Sequence, residues 1–590
     1  MSVKDFRKEV FPFYTPPVFI FLFNIPFFLI QKTVSLQFIF LFMISNYQIA
    51  DAFSLLSKLM DIHGENSFKA KSYAAAAFSI EKLPMQLAET DPSKIAGLRG
   101  VGESSAKKVL ELLQTGELKA LSELIAKTPP GVLEMLSIKG LGPKKISTIW
   151  KEMEIETIGE LLYACEENRL SRYKGFGEKT QNNVKEAIEF FLLHKDIHLY
   201  ADVEAYAYAI DKNLKTHFSS YRFELTGEFR RQLEIINQLE WVTTTPPDDL
   251  KALFTTTNYS LVEETGATYS FKGPENVLLF FHCTNEHQFG SVLFSTSSSE
   301  TFLEAWGTVA ETGDETSLFE SKGIAYIPSF LRETAVTNTV NDLIDTNTIK
   351  GIIHSHSNWS DGSNTIEEMA NECIRRGWEY LVISDHSKSA GYANGLSVER
   401  IREQHQYIDE LNSKRKGFRI FKSIEADILG DGALDYDDDV LASFDLVIAS
   451  VHSNLRMTEE KAMMRLMNAI ENPYTTILGH MTGRLLLSRN GYPVDHEKII
   501  DACVANSVVI ELNAHPRRLD IDWRWIEHAT NKGALISIDP DAHELSGYDD
   551  IRYGVLAAQK GRLTNGSNLS SFSLAEFEEY LMSIRREKGI

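Results

Sequence analysis

The sequence predicts a multidomain chain with an all-α N-terminal part, an α+β middle and a C-terminal α/β unit built on a parallel sheet or barrel. Three observations carry that prediction. Between residues 98 and 188 an apolar-x-Gly-apolar-Gly pattern occurs three times, each copy leading into a lysine-bearing helical stretch. From 195 to 310, short β-rich runs are separated by helical stretches. From about 348 onward, apolar β runs alternate with helical periodicity, and histidines and carboxylates stand at the ends of those runs.

At 590 residues the chain exceeds what one hydrophobic core supports, given roughly 100 to 200 residues per domain. Its net charge of -22 excludes indiscriminate nucleic-acid binding by the whole surface, since phosphate repels a net-negative body. Any DNA contact therefore rests on local basic patches. Four separated cysteines (Cys165, Cys283, Cys373, Cys503), with no CxxC pair, exclude a disulfide framework or zinc ribbon and fit a reducing cytoplasm.

Residues 17 to 44 are intensely apolar, but Asn24-Ile25-Pro26 and Gln31-Lys32-Thr33 interrupt the run and no small-residue cleavage site follows. Met43 directly precedes the first amphipathic pattern. Residues 1–43 therefore read as an apolar extension from an over-extended start, and no stable membrane partner is expected.

Residues 44–125 form a small helical module with the first glycine pair, and 126–192 carry the other two. The segments are LRGVGESSAKKVLELL (98 to 113), IKGLGPKKISTIWKEM (138 to 153) and YKGFGEKTQNNVKEAI (173 to 188). Gly100 and Gly102, Gly140 and Gly142, and Gly175 and Gly177 make tight hairpins between helices, leaving backbone N–H groups and the positive helix end for a phosphate oxygen. Lys107, Lys108, Lys144, Lys145, Lys174 and Lys179 supply counter-charge. This is the helix-hairpin-helix device, which holds DNA backbone without reading sequence. One copy would read more readily as a plain helical turn; three copies with six lysines reverse that. Lys69 and Lys71 read as a solvated pair able to touch a 5'-phosphate.

Residues 193–320 form the α+β unit, 321–347 a proline-containing connector, and 348–590 the C-terminal unit. There His354, His356 and Asp361 (HSHSNWSDG), Asp385 and His386 (ISDHS), Glu425 (SIEAD), His452 (SVHSN), His480 (LGHMTGR), and Asp541 and His543 (DPDAH) each follow an apolar β run. In a β/α barrel such ends share one face. A lone histidine more often satisfies a local hydrogen bond, but six on successive strand ends with carboxylates point to metal. Imidazoles and carboxylates suit zinc, manganese or iron, and nine ligands exceed the needs of one ion. Two or three divalent ions are implied, with Glu425 as the natural bridge between them. Metal clusters of this kind, without a nucleotide-binding loop or a Ser or Cys nucleophile, point to phosphoester hydrolysis. Arg484 and Arg518 are the candidates for gripping a phosphate, because a guanidinium can hold two oxygens, and each reads equally well as a structural ion pair.

Together these segments resemble a bacterial family X DNA polymerase with a C-terminal polymerase and histidinol phosphatase (PHP) domain, over roughly residues 44 to 575. The motifs that carry the resemblance are HSHSNWSDG, ISDHS, ILGHMTGR and DAH, with YIPSFLRE at the junction. The resemblance implies a DNA-gap-binding module, helix-hairpin-helix units, a nucleotidyltransferase-like palm over 193–320 and a PHP (β/α) barrel. It implies a manganese-dependent 3'-5' exonuclease and end-processing activity in DNA repair, on gapped, nicked or 3'-ended DNA without sequence preference. It implies Mn2+ or Zn2+, with Fe2+ as a further option, on all nine of His354, His356, Asp361, His386, Glu425, His452, His480, Asp541 and His543. Glu425, Asp541 and Arg484 are the expected catalytic residues.

The palm departs from the family pattern of Gly-Ser, two arginines, Asp-x-Asp and a later Asp. Gly227, Arg230 and Arg231 stand in place, but Glu228 takes the Ser position, Gln238 and Glu240 the Asp-x-Asp positions, and Phe280 the third Asp position. One carboxylate out of three does not hold two ions, and Glu228 repels a triphosphate. The palm is therefore expected to persist as a DNA platform without nucleotidyl transfer, with Glu224, Glu234 and Glu275 as the nearby acids that could substitute. The alternatives are an active gap-filling polymerase with PHP proofreading and a non-catalytic repair scaffold. Hydrolysis of a small phosphomonoester would leave three hairpins without a role.

Overall fold

The computed structural model describes residue 44 and residues 46–590, apart from 82, 84, 99, 193–196, 256, 258, 274–276, 336, 337 and 339. The expected apolar extension, residues 1–43, and Glu275 lie outside the described residues. Among the described residues no helix is long and apolar enough to cross a membrane.

The N-terminal part is helical. Helices α1 (Asn46–His63) and α2 (Ser67–Glu81) pack together because Ile49, Phe53, Leu56 and Met60 recur at helical spacing and are buried. Three further helices, α3 (Glu103–Thr115), α4 (Pro143–Lys151) and α6 (Glu178–Leu192), each begin just after a glycine pair. Between the last two lies α5 (Ile158–Glu166), started by a capping box in which Thr157 and Glu160 satisfy each other's backbone N–H groups. Every residue of α5 from Ile158 to Cys165 is buried, an unusual state for a helix at the edge of a small module. Its outer face is covered by the C-terminal barrel.

The middle unit carries a mixed five-stranded sheet. Strands β1 (Phe223–Thr226), β2 (Leu239–Thr243), β3 (Ser260–Thr265), β4 (Thr268–Lys272) and β5 (Leu278–Cys283) lie in the order β1-β2-β5-β4-β3, with only the β2–β5 pair parallel.

The C-terminal unit is a seven-stranded parallel sheet in sequence order: β6 (Gly351–Ile352), β7 (Tyr380–Ile383), β8 (Arg419–Asp427), β9 (Leu446–Ser450), β10 (Ile477–Leu478), β11 (Val509–Asn513) and β12 (Ile536–Asp539). Just beyond the two edge strands, Ser355 bridges Ala542, and the His356 N–H donates to the Ala542 carbonyl at 2.9 Å, so the sheet nearly closes into a barrel. Strand residues alternate between two buried clusters. Val382, Phe421, Ile448, Ile477 and Val509 fall in one, and Leu381, Ile420, Val447, Leu478 and Ile510 in the other. Burial on both sides explains the near-continuous apolar runs. Helix Leu574–Lys588 contributes Phe577 to the first cluster, stacked on Tyr380 at 4.5 Å. The alternation continues through Ser423 to Glu425, a carboxylate at the C-terminal end of β8.

Candidate metal centre at the barrel mouth

Parallel strands put all their C-terminal ends at one mouth. His354 and His356 follow β6, Asp361 lies in the next loop, His386 follows β7, Glu425 belongs to β8, His452 follows β9, His480 follows β10, and Asp541 and His543 follow β12. The structure brings all nine together. Glu425 sits centrally: its Oε1 lies 3.1 Å from His452 Nε2, 3.1 Å from His480 Nε2 and 3.5 Å from His354 Nε2. Its Oε2 lies 2.9 Å from His386 Nδ1 and 3.7 Å from His356 Nε2. Asp541 Oδ1 is 3.0 Å from His356 Nε2, and Asp361 is 3.5 Å from both His386 Nε2 and His543 Nε2.

Three overlapping groups have the spacing of metal ligands: His356, Asp361, His386 and His543; His354, His356 and Asp541; and His386, Glu425 and His452. Buried His354 Nε2, His356 Nδ1, Asp361 Oδ2, His386 Nδ1, Glu425 Oε2, His480 Nδ1 and His543 Nε2 have no hydrogen-bond partner among the described residues. Buried polar atoms left unpaired are costly, and a cluster of them aimed at one another fits cations. Burial pushes the Glu425 carboxyl up, but the imidazoles of His452, His354 and His386 outweigh it and hold it well below the usual carboxylate range. Asp541 is likewise held ionised against burial by His354 and His356. Ionised carboxylates are the ligand form.

A second ring of contacts orients these groups. Glu511 Oε1 lies 2.5 Å from His354 Nδ1, and its Oε2 accepts from the His480 backbone N–H at 2.5 Å. Asp427 Oδ1 is 2.8 Å from His452 Nδ1, and Asn513 Nδ2 donates to Asp541 Oδ2 at 3.0 Å. Asp385 is not among the three groups; it accepts from Ser357 N and Oγ, Ser360 Oγ and Gln404 Nε2, pinning the loop that carries Asp361. Sequence reasoning missed Glu511, although a lone carboxylate inside the apolar run VVIELN was a usable signal.

The two candidate arginines separate. Arg518 is buried with Nε 3.8 Å from Asp541 Oδ2, facing the cluster. Arg484 instead donates from Nε to the Arg518 carbonyl, from one terminal nitrogen to Asp522 at 2.5 Å and from the other to the Leu519 carbonyl. That corrects the expectation for Arg484. With all three nitrogens engaged in holding the 518–522 loop, it is a tie within the barrel rim and presents no fork to a phosphate.

The mouth is also roofed from the helical part. The Tyr163 hydroxyl of α5 accepts from Arg518 Nε at 2.8 Å and lies 3.4 Å from Asp541 Oδ2. Glu160 pairs with Arg489 at 2.7 Å, and Arg172 donates to the Ser360 carbonyl at 2.9 Å. Nothing in local spacing could have announced these contacts.

In the hairpins, Gly100, Gly140 and Gly175 have φ of +86°, +93° and +94°, the left-handed region that other residues adopt only with strain. The second glycines start the helices: the carbonyls of Gly102, Gly142 and Gly177 accept the first intrahelical bonds from Ala106, Ile146 and Gln181. Nothing lies within 4 Å of a Cβ built on Gly140, Gly142, Gly175 or Gly177, so a ligand can approach the backbone there. Lys107, Lys144, Lys174 and Lys179 are exposed. Lys108 is tied to Glu111 at 2.6 Å, and Lys145 donates to the Gly140 carbonyl at 3.2 Å.

In the middle unit, Thr226, Glu240 and Phe280 lie side by side across β1, β2 and β5. Glu240 Oε2 is 2.8 Å from His282 Nε2, and Glu228 accepts from Asn237 N and Nδ2 at 2.7 and 2.8 Å. Gln238 immediately precedes β2, and Gly227 has φ +61° with a Cβ there falling 2.2 Å from Glu240 Oε1. Arg230 forks onto Glu315 at 2.9 and 2.7 Å, and Arg231 pairs with Glu333 at 3.2 Å. Glu224 lies near Lys215 at 3.5 Å, and Glu234 pairs with Arg524 at 3.1 Å.

Comparison with known proteins agrees with this layout. Residues 44–118 match a helix-hairpin-helix domain family, 132–189 a SAM-like helix-hairpin-helix tandem, and 353–515 the PHP domain family. The chain is 33% identical over 565 residues to the DNA polymerase/3'-5' exonuclease PolX of Bacillus subtilis, covering 88% of this chain and 96% of that protein. It is also 30% identical over 171 residues to a probable phosphatase of Caldanaerobacter subterraneus, covering 27% of this chain and 60% of that protein. A probable phosphatase of Thermoanaerobacter sp. matches at 26% over 248 residues, 40% of this chain and 96% of that protein.

Proposed function

The chain belongs to the PolX family, with helix-hairpin-helix units ahead of a C-terminal PHP domain, and from that premise we propose that it is a DNA-repair phosphoesterase that trims DNA 3' ends at the barrel mouth. The observation that carries this reading is the cluster of six histidines and three carboxylates centred on Glu425, one of the three, with Arg518 beside it. Two or three divalent ions, Mn2+ or Zn2+, fit that ring; bound there, they would polarise a phosphate and lower the pKa of water enough for attack at phosphorus. The chain's own residues do the rest. Glu425 and Asp541 hold negative charge at the centre, Glu511 and Asp427 fix the ring orientation of His354 and His452, and Arg518 offers donors to a phosphate oxygen. The hairpins hold the DNA backbone through exposed lysines and open glycine amides, independent of sequence.

In this reading the palm is a platform. Phe280 stands where a third carboxylate would be needed, Glu240 is paired with His282, and Arg230 and Arg231 are paired with Glu315 and Glu333 instead of facing an open site. The test is a 5'-labelled primer on a gapped template with Mn2+ and deoxynucleoside triphosphates, comparing the chain with a His354→Ala, His356→Ala double variant. Shortening lost in the variant, with no extension in either, is the expected result. Extension by the variant would restore the gap-filling polymerase reading, and no shortening by the unaltered chain would leave only a scaffold.

A further inference from the structure

The centre has two openings of opposite character. One is a cavity of about 700 Å³ between α5 and the barrel, reaching His452 and lined by six cations, among them Arg169, Arg456, Arg489 and Arg518, against three carboxylates. The other, about 220 Å³ and beside Asp541 and His543, is lined by Glu166, Glu167, Asp202, Glu544 and Asp550 against only Lys185 and Arg517. An anionic strand is drawn to the first and repelled by the second. Cavities of roughly 300 to 1,000 Å³ hold drug-sized molecules, so the larger opening takes one or two nucleotides.

Its roof comes from the helical part. Glu167, just past α5, lies 3.4 Å from an Arg169 terminal nitrogen and 4.0 Å from one of Arg518, setting two guanidiniums side by side. Beyond that pair, Arg169 lies over the Tyr392 ring at 4.3 Å, and its buried Nε has no hydrogen-bond partner among the described residues. Tyr163 holds Arg518 from the same helix. The third hairpin, with exposed Lys174 and Lys179, begins directly after Arg172, which is itself bonded to the barrel loop at Ser360.

We propose that residues 157–172 of the helical part complete the phosphoesterase site, with Arg169 and Arg518 together gripping the terminal DNA phosphate and Tyr163 acting as the positioning residue for Arg518. This rests on the phosphoesterase reading above. The barrel alone thus lacks one of its two phosphate-holding arginines, and a strand held by the third hairpin is delivered to the larger opening. Each guanidinium contributes charge-assisted hydrogen bonds that a truncated side chain does not replace.

The experiment uses the full chain loaded with Mn2+ and its Arg169→Ala, Arg169→Lys and Tyr163→Phe variants. Three quantities are read: KM and kcat on a 5'-labelled oligonucleotide, binding of a deoxynucleoside 5'-monophosphate, and bound manganese per chain. Arg169→Ala raises KM and weakens monophosphate binding by about tenfold or more, with kcat and manganese content nearly unchanged. Arg169→Lys recovers part of the binding, and Tyr163→Phe weakens it by a smaller factor. Unchanged monophosphate binding and KM in Arg169→Ala, in a chain that still cleaves DNA, overturns the roof and leaves the nuclease reading standing. Weakened monophosphate binding in a chain that releases no nucleotide from DNA does the reverse. Loss of manganese in Tyr163→Phe also overturns the proposed role of Tyr163, since its effect would then run through the ligand Asp541.

Discussion

At the scale of single residues, the carboxylates just outside the cluster do the orienting. Glu511 touches both His354 and the backbone of His480, so Glu511→Gln keeps the shape but removes the charge that fixes the imidazole. Such changes around metal ligands lower affinity or activity by about 10- to 100-fold. Manganese titration of the Glu511→Gln variant should show weaker binding by a factor in that range; unchanged affinity would make Glu511 a packing residue. In the middle unit, buried Glu315 accepts from Arg230 and Arg332, each at 2.7 Å. Burial pushes its carboxyl up, but the two guanidiniums overcome this and lower it from 4.5 to about 2. A carboxyl depressed on folding stabilises the folded chain above its unfolded value, and that stability is lost as pH falls toward the folded one. Glu315→Gln should therefore be less stable at pH 7, by about 3 kcal/mol for a broken buried pair. The gap in denaturant midpoint between variant and unaltered chain should close between pH 4.5 and 2; a gap independent of pH would mean that the charge is not what holds the connector.

At the scale of elements, the three hairpins make one prediction about DNA. Lys144 and Lys179 are exposed beside open glycine amides and contact phosphate in the proposed reading, whereas Lys108 is already neutralised by Glu111. Lys144→Ala and Lys179→Ala should each reduce the slope of log affinity against log salt by about 1, equally for all sequences, and Lys108→Ala should change it less. Gel-shift titrations across salt concentrations measure this directly. The hairpins are also where sequence served best, because Gly-x-Gly is a local requirement. The first glycine is left-handed in all three copies, and the second starts the helix that follows.

At the scale of the molecule, the helical part and the barrel meet at the cluster of histidines and carboxylates. The barrel mouth contacts the helical part through Tyr163, Glu160 and Arg172, and these meet loops that carry or flank proposed ligands. Without ions, the cluster has many buried polar atoms facing one another, and in the proposed reading bound cations offset their cost. Chelation should therefore lower Tm, and added Mn2+ should restore it in a concentration-dependent way, because a ligand that binds only the folded state adds RT ln(1 + [L]/Kd) to stability. An identical melting curve with and without chelator would show that the nine residues hold no ion in the folded chain.

The sequence alone determined the three hairpins, the succession of helical, mixed and β/α parts, and the strand-end residues that gather at the mouth, although it did not separate Asp385 from the nine that cluster. Each of these is written in short-range spacing: a glycine pair before a helix, or a histidine at the end of an apolar strand. A parallel barrel then carries every such end to one mouth. Tertiary structure alone decided that Arg484 ties down a loop while Arg518 faces the ring, and that α5 lies over the mouth, with Tyr163 beside an aspartate 378 residues further along the chain. No periodicity encodes which face of one packed unit fits another. That match depends on the shape and charge of two surfaces that exist only after both have folded.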